Sequence, residues 1–129
     1  VLFTFKEEGN NGFYVWKQTN GGGYLVAPDA EGKVDYSCAF KKDNWNKAIP
    51  TYLAFTWDES SCASFVDGRA HGKIKAPFLR TQAGAFYVGP GINSLAGRHS
   101  NAIVHDLLIF NRSLDAGEII ERYNAQLKE

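Results

Sequence analysis

Residues 51–69 read TYLAFTWDESSCASFVDGR, and two strand-like runs stand there on either side of a polar turn. The runs TYLAFTWD and CASFVDG contain the aromatic and β-branched residues that favour strands. The segment DESS between them consists of residue types that are common in turns. The pattern predicts two short strands joined by a turn. Much of the chain shows the same succession of strand-like runs and turn segments.

Short runs of the same kind precede and follow this pair. They are LFTFK, FYVWKQ, YLVAP, KVDYSCAF, GAFYVG and AIVHDLLIFN. Turn segments separate them: EEGNNG, TNGGG, PDAEG, DGRAHG and GPGINSLAGRHS. Eight or nine short strands with such spacers predict an all-β sandwich or jelly roll, formed as one domain by residues 1–129.

The period of the sequence changes within IVHDLLIFNRSLDAGEIIERY, residues 103–123. Up to Phe110 the apolar residues occupy both sides of a two-residue alternation, which predicts a strand with two apolar faces, both buried. Beyond it, Ile119 and Tyr123 lie four residues apart, which predicts the buried face of a short helix.

Three residues indicate where this helix begins. Asp115 and Glu118 have the spacing of an N-cap and its partner in a capping box. Leu114, directly before them, has the position of a hydrophobic staple. The chain therefore predicts a long last strand followed by one short C-terminal helix.

Charge and hydropathy argue against several classes of partner. Fourteen basic residues balance fourteen acidic ones, so electrostatics favours neither a nucleic acid nor an anionic membrane. No apolar run approaches the roughly 20 residues of a membrane span, so we expect no membrane insertion. The chain has no methionine, even at position 1, and no visible signal peptide, so we expect it to be a segment of a longer polypeptide.

Cys38 and Cys62 lie in two of the strand-like runs, and two interpretations of the pair stay open. A disulfide would close a loop of about 25 residues and stabilise the fold by about 3 kcal/mol, provided that the two Cα atoms lie within about 7 Å. The alternative is a pair of buried thiols that behave as small apolar side chains. A count of two cysteines does not discriminate between them.

Three of these stretches together resemble the LamG-like and pentraxin domains. TYLAFTWDESSCASFVDGR is similar to the family's hairpin, AFYVG to the strand that follows, and VHDLLIFNRSLDAGEIIERY to the closing strand and helix. The resemblance covers about residues 51–124. It implies a concanavalin A-like jelly roll of two antiparallel sheets, with the last strand inside the sandwich and the helix capping one edge. It also implies that Asn111 and Arg112 bond the strand-to-helix corner, although Asn111-Arg112-Ser113 is formally a glycosylation acceptor.

The sequence departs from the family in two places. The family usually has a tryptophan just before the strand corresponding to YLAFTWD, whereas Pro50 stands here and Trp45 lies upstream. The family's strands before the equivalent of LFTFKEEG are missing or shortened. A jelly roll without them would expose a sheet edge, so we expect either a trimmed variant or a strand-complementing partner, including self-association.

Catalytic motifs are absent from the sequence. Glycoside hydrolases of this architecture carry Glu-x-Asp-x-x-Glu on one strand, because two nearby carboxylates perform the chemistry, and no such motif occurs here. The acidic pairs stand in turns or at the helix cap. His71 and His99 are in glycine-rich loops, and His105 has no convincing nucleophile beside it. We therefore predict a non-enzymatic protein.

A metal site receives little support. The two cysteines and three histidines lack the spacing of zinc ligands. Calcium prefers oxygen ligands in loops, which Asp43, Asn44 and Asn46 could supply, so calcium stays a candidate cofactor beside the alternative of a plain surface turn. The acidic calcium loop of pentraxins is not carried over, because PGINSLAGRHS contains no acid.

One loop has the residue types that bind sugars, namely an aromatic ring for the apolar face of a pyranose and planar polar groups for its hydroxyls. A second loop is polar, contains no acid and suits an anionic or hydroxylated ligand. The candidate ligand-binding residues of the first loop are Asp43, Asn44, Trp45 and Asn46. Those of the second loop are Asn93, Arg98 and His99. Two alternatives remain: Trp45 folds inward as a displaced core tryptophan, and the second loop is an ordinary long loop. Trp16 and Trp57 lie in strands and are predicted to be in the core.

Our first functional hypothesis is a non-catalytic recognition module that binds a glycan or a protein, secreted or at a cell surface. The first alternative is a structural module that mediates assembly within a larger polypeptide without a small ligand. The second and weaker alternative is a glycan-active hydrolase domain, which rests on fold analogy alone.

Overall fold

The computed structural model describes residues 2–7, 10–28, 35–43, 45, 48–58, 60–75, 84–89 and 103–128. These residues form eight strands and one helix. The first four strands are β1 (Phe3–Glu7), β2 (Asn10–Lys17), β3 (Gly22–Pro28) and β4 (Asp35–Lys41). The other elements are β5 (Leu53–Trp57), β6 (Ser61–Val66), β7 (Arg69–Lys75), β8 (Gly84–Val88) and α1 (Ala116–Gln126).

The strands form two antiparallel sheets. The five-stranded sheet has the order β4-β3-β2-β1-β8, and the three-stranded sheet has the order β5-β6-β7. With one short C-terminal helix, this arrangement confirms the predicted all-β sandwich. Strand β4, an edge of the larger sheet, packs against β6 and β7, so the two sheets approach each other along a seam there.

The core lies between the inner faces of the two sheets. Val15, Leu25 and Cys38 stand in register on three neighbouring strands, and their side chains are almost fully buried. Aromatic rings interlock across the gap, as where Phe13 meets Trp57 edge to face with ring centroids 5.0 Å apart. Because successive side chains of a strand alternate between faces, these contacts fix which residues face the core.

Strands β6 and β7 are joined by a two-residue turn at Asp67 and Gly68. Both residues have positive φ angles, 49° and 75°, and Val66 pairs directly with Arg69, which is the geometry of a type I′ turn. Asp67 is further held by Lys42, whose Nζ lies 2.6 Å from its carboxylate. The sequence interpretation of DGRAHG as one turn segment was therefore wrong, since the turn ends at Gly68 and β7 begins at once.

The segment 103–110 is not the buried strand that its alternation predicts. It forms no strand in the structure, and all eight of its residues are exposed; Ile103, for example, is 84% exposed and Ile109 is 65% exposed. Alternation shows that a segment would suit a strand, but a strand forms only beside a neighbour that completes its hydrogen bonds. No described strand takes that place here.

The helix begins as predicted. Asp115 is the N-cap, and its carboxylate accepts a bond of 2.9 Å from the backbone N–H of Glu118, while the Glu118 side chain accepts one of 3.0 Å from the N–H of Asp115. Leu114 and Ile119 are buried in one cluster, which confirms the hydrophobic staple. Arg112 donates two bonds to Glu118 and thereby ties the corner to the helix, as the resemblance implied.

The helix covers a sheet face rather than a sheet edge. Ile119 packs against Phe65 of β6, and Ala54 and Ala63 of β5 and β6 complete the cluster. Tyr123 lies over the β6–β7 turn, with its ring 5.8 Å from that of Tyr52. The implied edge position is corrected, because the outer faces of β5 and β6 carry small and apolar residues that the helix can cover.

Replacing Asp115 by alanine is expected to lower the free energy of unfolding by about 1 kcal/mol, the usual effect of losing an N-cap. The same change at Asp43, which forms only an exposed ion pair with Lys41, should cost less than about 0.5 kcal/mol. Denaturant unfolding of both variants measures the difference. Equal losses would show that the capping box does not stabilise the helix.

The stability that the capping box contributes depends on pH through the carboxyl group of Glu118. Its hydrogen bonds with Arg112 and with the backbone N–H of Asp115 hold the pKa of its carboxyl down at about 2. A lowered pKa contributes stability that is present above the ordinary glutamate pKa and is lost as the pH falls towards the folded value. The capping box is therefore fully formed at neutral pH.

Candidate functional site

Only part of the predicted sugar-binding set lies within the described residues. Asp43 and Trp45 of the first loop are described, and Asp43 forms an exposed ion pair of 3.0 Å with Lys41. The remaining predicted residues, Asn44, Asn46, Asn93, Arg98 and His99, lie outside the described part of the chain. Their assignment stays a prediction.

The side chain of Trp45 contacts other residues of the protein. Its indole Nε1 donates a hydrogen bond of 3.0 Å to the carbonyl oxygen of Gly21. Its ring meets Phe40 edge to face, with centroids 6.5 Å apart, and the amine of Lys17 lies 4.9 Å from the ring centroid. The residue therefore packs against the end of the core, as in the inward alternative, and Lys17 covers a ring face that a sugar would need.

Trp16 lies on the opposite face of the large sheet from the core. Its neighbour Val15 is fully buried in the core, so the alternation of the strand turns Trp16 outwards. Trp16 pairs across strands with Tyr24, and both are half-buried. The prediction that Trp16 is a core residue was wrong, whereas Trp57 is packed against the core as predicted.

A cleft opens beside this aromatic pair. Its volume is about 300 Å³, and it lies where the β2–β3 turn, the end of β4 and the middle of β7 meet. Its lining residues are Gln18, Asn20, Gly22, Gly23, Tyr24, Ala39, Phe40, Lys41 and His71. We call it the seam cleft, because it lies beside the seam between β4 and β7.

The glycine run of TNGGG creates the space. Gly21 has a φ of 88°, a conformation that side-chain-bearing residues rarely adopt, and its N–H bonds back to the carbonyl of Gln18 at 3.3 Å. Gly22 follows with no side chain, and Ala39 of β4 supplies only a methyl group. The tight turn and these small residues leave the volume open.

The opposite wall of the cleft comes from a β-bulge. Ser64 pairs with Gly72 and Phe65 with Ala70, which leaves His71 as the extra residue of β7. Ser64 Oγ donates to the carbonyl of Ala39 at 2.5 Å and accepts from the N–H of Gly72 at 3.0 Å. These bonds hold β7 close to β4 and place His71 at the rim.

The side chains around the cleft suit a hydroxyl-rich ligand. Tyr24 offers an aromatic ring, and Gln18 and Asn20 offer planar amides. The Asn20 oxygen accepts from the N–H of Gly22 at 3.0 Å, which orients the amide. Lys41 and His71 are exposed donors on two sides. An aromatic surface with a few convergent polar groups is the usual composition of a small-ligand site.

The sequence reasoning missed the residues of this cleft. TNGGGY predicts a turn followed by a strand, and nothing in this stretch marks Tyr24 as the wall of a cleft. His71 is about 50 positions from Tyr24 along the chain, so only the β4–β7 seam brings it near. Nothing in the spacing of the sequence indicates that seam.

Two further sequence questions concern metals and membranes. Among the residues that the structure describes, no group of three or more His, Cys, Asp or Glu side chains is placed to hold a metal ion. Within the same residues, no helical segment combines the length and the hydropathy that spanning a bilayer requires.

Comparison with known proteins gives little further information. No family model and no curated protein matches the chain. Among solved structures, it is similar to an S-layer domain-containing protein from Clostridium thermocellum, with a TM-score of 0.49 and 13% sequence identity. The similarity covers 95% of this chain and 61% of that chain, so this chain spans about three-fifths of its neighbour. A similarity at this level assigns neither a family nor a function.

Proposed function

We propose that this protein is a non-catalytic recognition module that binds carbohydrate in the seam cleft, in a secreted or cell-surface setting. The observation that carries the proposal is the grouping of Tyr24 with two amides and two exposed donors around one open cleft of about 300 Å³. Such a volume is at the lower end of the range of small-ligand pockets.

The proposal moves the predicted site by a short distance. The predicted loop begins at Asp43, two residues after Lys41 at the end of β4, so the loop and the cleft adjoin. Trp45 serves the fold, since it bonds the carbonyl of Gly21, the residue before the lining residue Gly22. In this arrangement Tyr24 takes the stacking role that the sequence suggested for Trp45.

The chemistry of the described groups supports binding rather than hydrolysis. Retaining or inverting glycosidases place two carboxyl groups across the scissile bond. None of the described residues that line the seam cleft is an aspartate or a glutamate. The polar groups that are present can donate to and accept from hydroxyl groups, which orients a ligand without activating a water molecule.

Replacing Tyr24 by alanine is expected to weaken glycan binding at least about tenfold, which corresponds to roughly 1.4 kcal/mol. The reason is that the variant loses the aromatic surface while the other lining groups remain. A glycan array of neutral and acidic oligosaccharides would identify a ligand for the unmodified protein, and calorimetric titration with that ligand would then measure the change.

Tyr87 provides the matched control. It stands on β8, at the other edge of the same sheet, and is 41% exposed. Tyr87→Ala should leave the affinity unchanged. The proposal fails if no glycan binds the unmodified protein, or if the Tyr24 and Tyr87 variants bind it equally well with both folds intact.

A second candidate is a structural module that mediates assembly, and the exposed segment 103–110 favours it. Exposed contiguous apolar surface of this kind commonly marks a protein interface, and an extended segment is suited to strand addition. Light scattering over a range of concentrations distinguishes the candidates. An increase in mass with concentration supports assembly, whereas a strictly monomeric, stable domain counts against it.

A further inference from the structure

Cys38 and Cys62 belong to opposite sheets and meet inside the core. Cys38 is on β4 and Cys62 on β6, and both are 0% exposed. Cys38 Sγ donates towards the carbonyl oxygen of Cys62 at 3.7 Å, and each thiol shifts the pKa of the other. The two sulfur atoms are therefore neighbours, although they are thiols rather than a disulfide in this structure.

Burial separates both thiols from outside reagents once the chain is folded, because each side chain is 0% exposed. The hydrogen bond with Cys38, followed by burial, raises the pKa of the Cys62 thiol. A thiol is a weak nucleophile until it is deprotonated. The interaction with Cys62 instead lowers the pKa of the Cys38 thiol below its ordinary value, so Cys38 is the member of the pair that supplies the thiolate. A thiolate at Cys38 beside the buried Cys62 thiol makes the two sulfurs suited to join each other once an oxidant is present.

We propose that Cys38 and Cys62 are joined by a disulfide when the chain folds in the presence of a small or protein disulfide oxidant. One cysteine thiolate attacks the oxidant's disulfide and releases one thiol from it. The second cysteine attacks the resulting mixed disulfide and releases the other thiol. The pair loses two protons and two electrons, and the oxidant is reduced to two thiols.

Burial determines when this reaction takes place. Because both side chains are fully covered in the folded protein, exchange precedes the closure of the two sheets. The bond then clamps the edge strand β4 to the central strand β6. Disulfides persist in secreted and cell-surface proteins, so the bond suits the proposed setting, but the inference does not depend on the seam cleft or on any ligand.

The bond would also strengthen the wall of the seam cleft. Ala39 and Phe40 follow Cys38 directly on β4, and both line the cleft. Gly72, whose carbonyl accepts from Cys38, is next to His71 at the rim. A covalent link at this point holds the two walls at a fixed separation.

The test is to refold the full chain in oxidised and reduced glutathione, and separately in excess reductant. After oxidative refolding we expect no free thiol in denaturant and a mass lower by about 2 Da, since two hydrogen atoms are lost. The unfolding equilibrium constant should fall roughly 100-fold relative to the reduced protein, as expected from closing a loop of this length.

The double variant with Cys38→Ala and Cys62→Ala is the control, because its unfolding should be insensitive to the redox buffer. If this variant does not fold, the oxidised and reduced forms of the unmodified chain still provide the comparison. Two titratable thiols after oxidative refolding would overturn the proposal. A disulfide that forms without a change in the unfolding midpoint would overturn its stabilising role.

Discussion

Replacing Phe65 by alanine is expected to lower the free energy of unfolding by about 3–5 kcal/mol, the range for deleting a large aromatic side chain from a packed site. Phe65 is 4% exposed and stands on the outer face of β6, where it packs with Leu114 and Ile119. Its removal leaves a cavity under the helix, and the helix has no other buried apolar cluster among the described residues.

Phe110 is the matched control for this variant. It is 37% exposed, and its ring is in contact with the guanidinium of Arg122 at 4.4 Å. Phe110→Ala should cost only about 0.5–1 kcal/mol, the value of an exposed cation–π contact. Denaturant midpoints of the two variants measure the difference. Similar losses would show that the helix does not rest on Phe65.

Replacing Gly72 by alanine is expected to cost about 1–3 kcal/mol, as overpacking usually does. A Cβ atom at this position would collide with the backbone carbonyl of Ala39, which cannot move without shifting β4. The change would also disturb the bond between the Gly72 N–H and Ser64 Oγ. Both effects push β4 and β7 apart, so the variant should also lose affinity for a ligand of the seam cleft.

Gly22→Ala separates crowding at the seam from the general effect of losing a glycine. The atoms nearest to its Cβ would be the side-chain oxygens of Asn20 and Gln18, at 3.3 and 3.5 Å, and these side chains can move. We expect a change in stability of less than about 1 kcal/mol. Thermal or denaturant unfolding of both variants tests the comparison. A Gly72 variant that is as stable as the Gly22 variant would contradict the close approach of β4 and β7.

The parts of the fold that sequence reasoning predicted correctly are those with local chemical signals. The runs that form β5 and β6 contain aromatic and β-branched residues on either side of a polar turn, and the helix begins where Asp115 and Glu118 form their reciprocal bonds. Each signal acts within a few residues of the chain. It can therefore be interpreted without knowing how the two sheets pack.

The parts that were missed depend on contacts between distant residues. The turn prediction DGRAHG includes the first four residues of β7, because that stretch is polar and rich in glycine, yet Gly72 is what permits the approach to Ala39. The outward position of Trp16 depends on Val15 facing the core, which composition does not reveal. The seam cleft depends both on the approach of β7 to β4 and on which residues face outwards from the large sheet. Its lining residues could therefore not be predicted as a group.

The segment 103–110 shows that an apolar alternation alone does not establish a strand. Its two-faced apolar pattern is stronger than that of several observed strands, but it forms none in the structure. The residues just after this segment are held in place, because Ser113 Oγ hydrogen-bonds Thr56 Oγ1 and Leu114 is buried. A strand needs a partner edge as well as a suitable sequence.

The central claim is that the seam cleft recognises carbohydrate. Backbone amide chemical shifts of the isotope-labelled protein, followed during titration with an oligosaccharide identified on the array, test it most directly. If the seam cleft binds carbohydrate, we expect saturable shifts at Gly22, Tyr24, Lys41 and His71, and none in the helix Ala116–Gln126. Saturable shifts confined to another surface, or no shifts with any oligosaccharide tried, would contradict it.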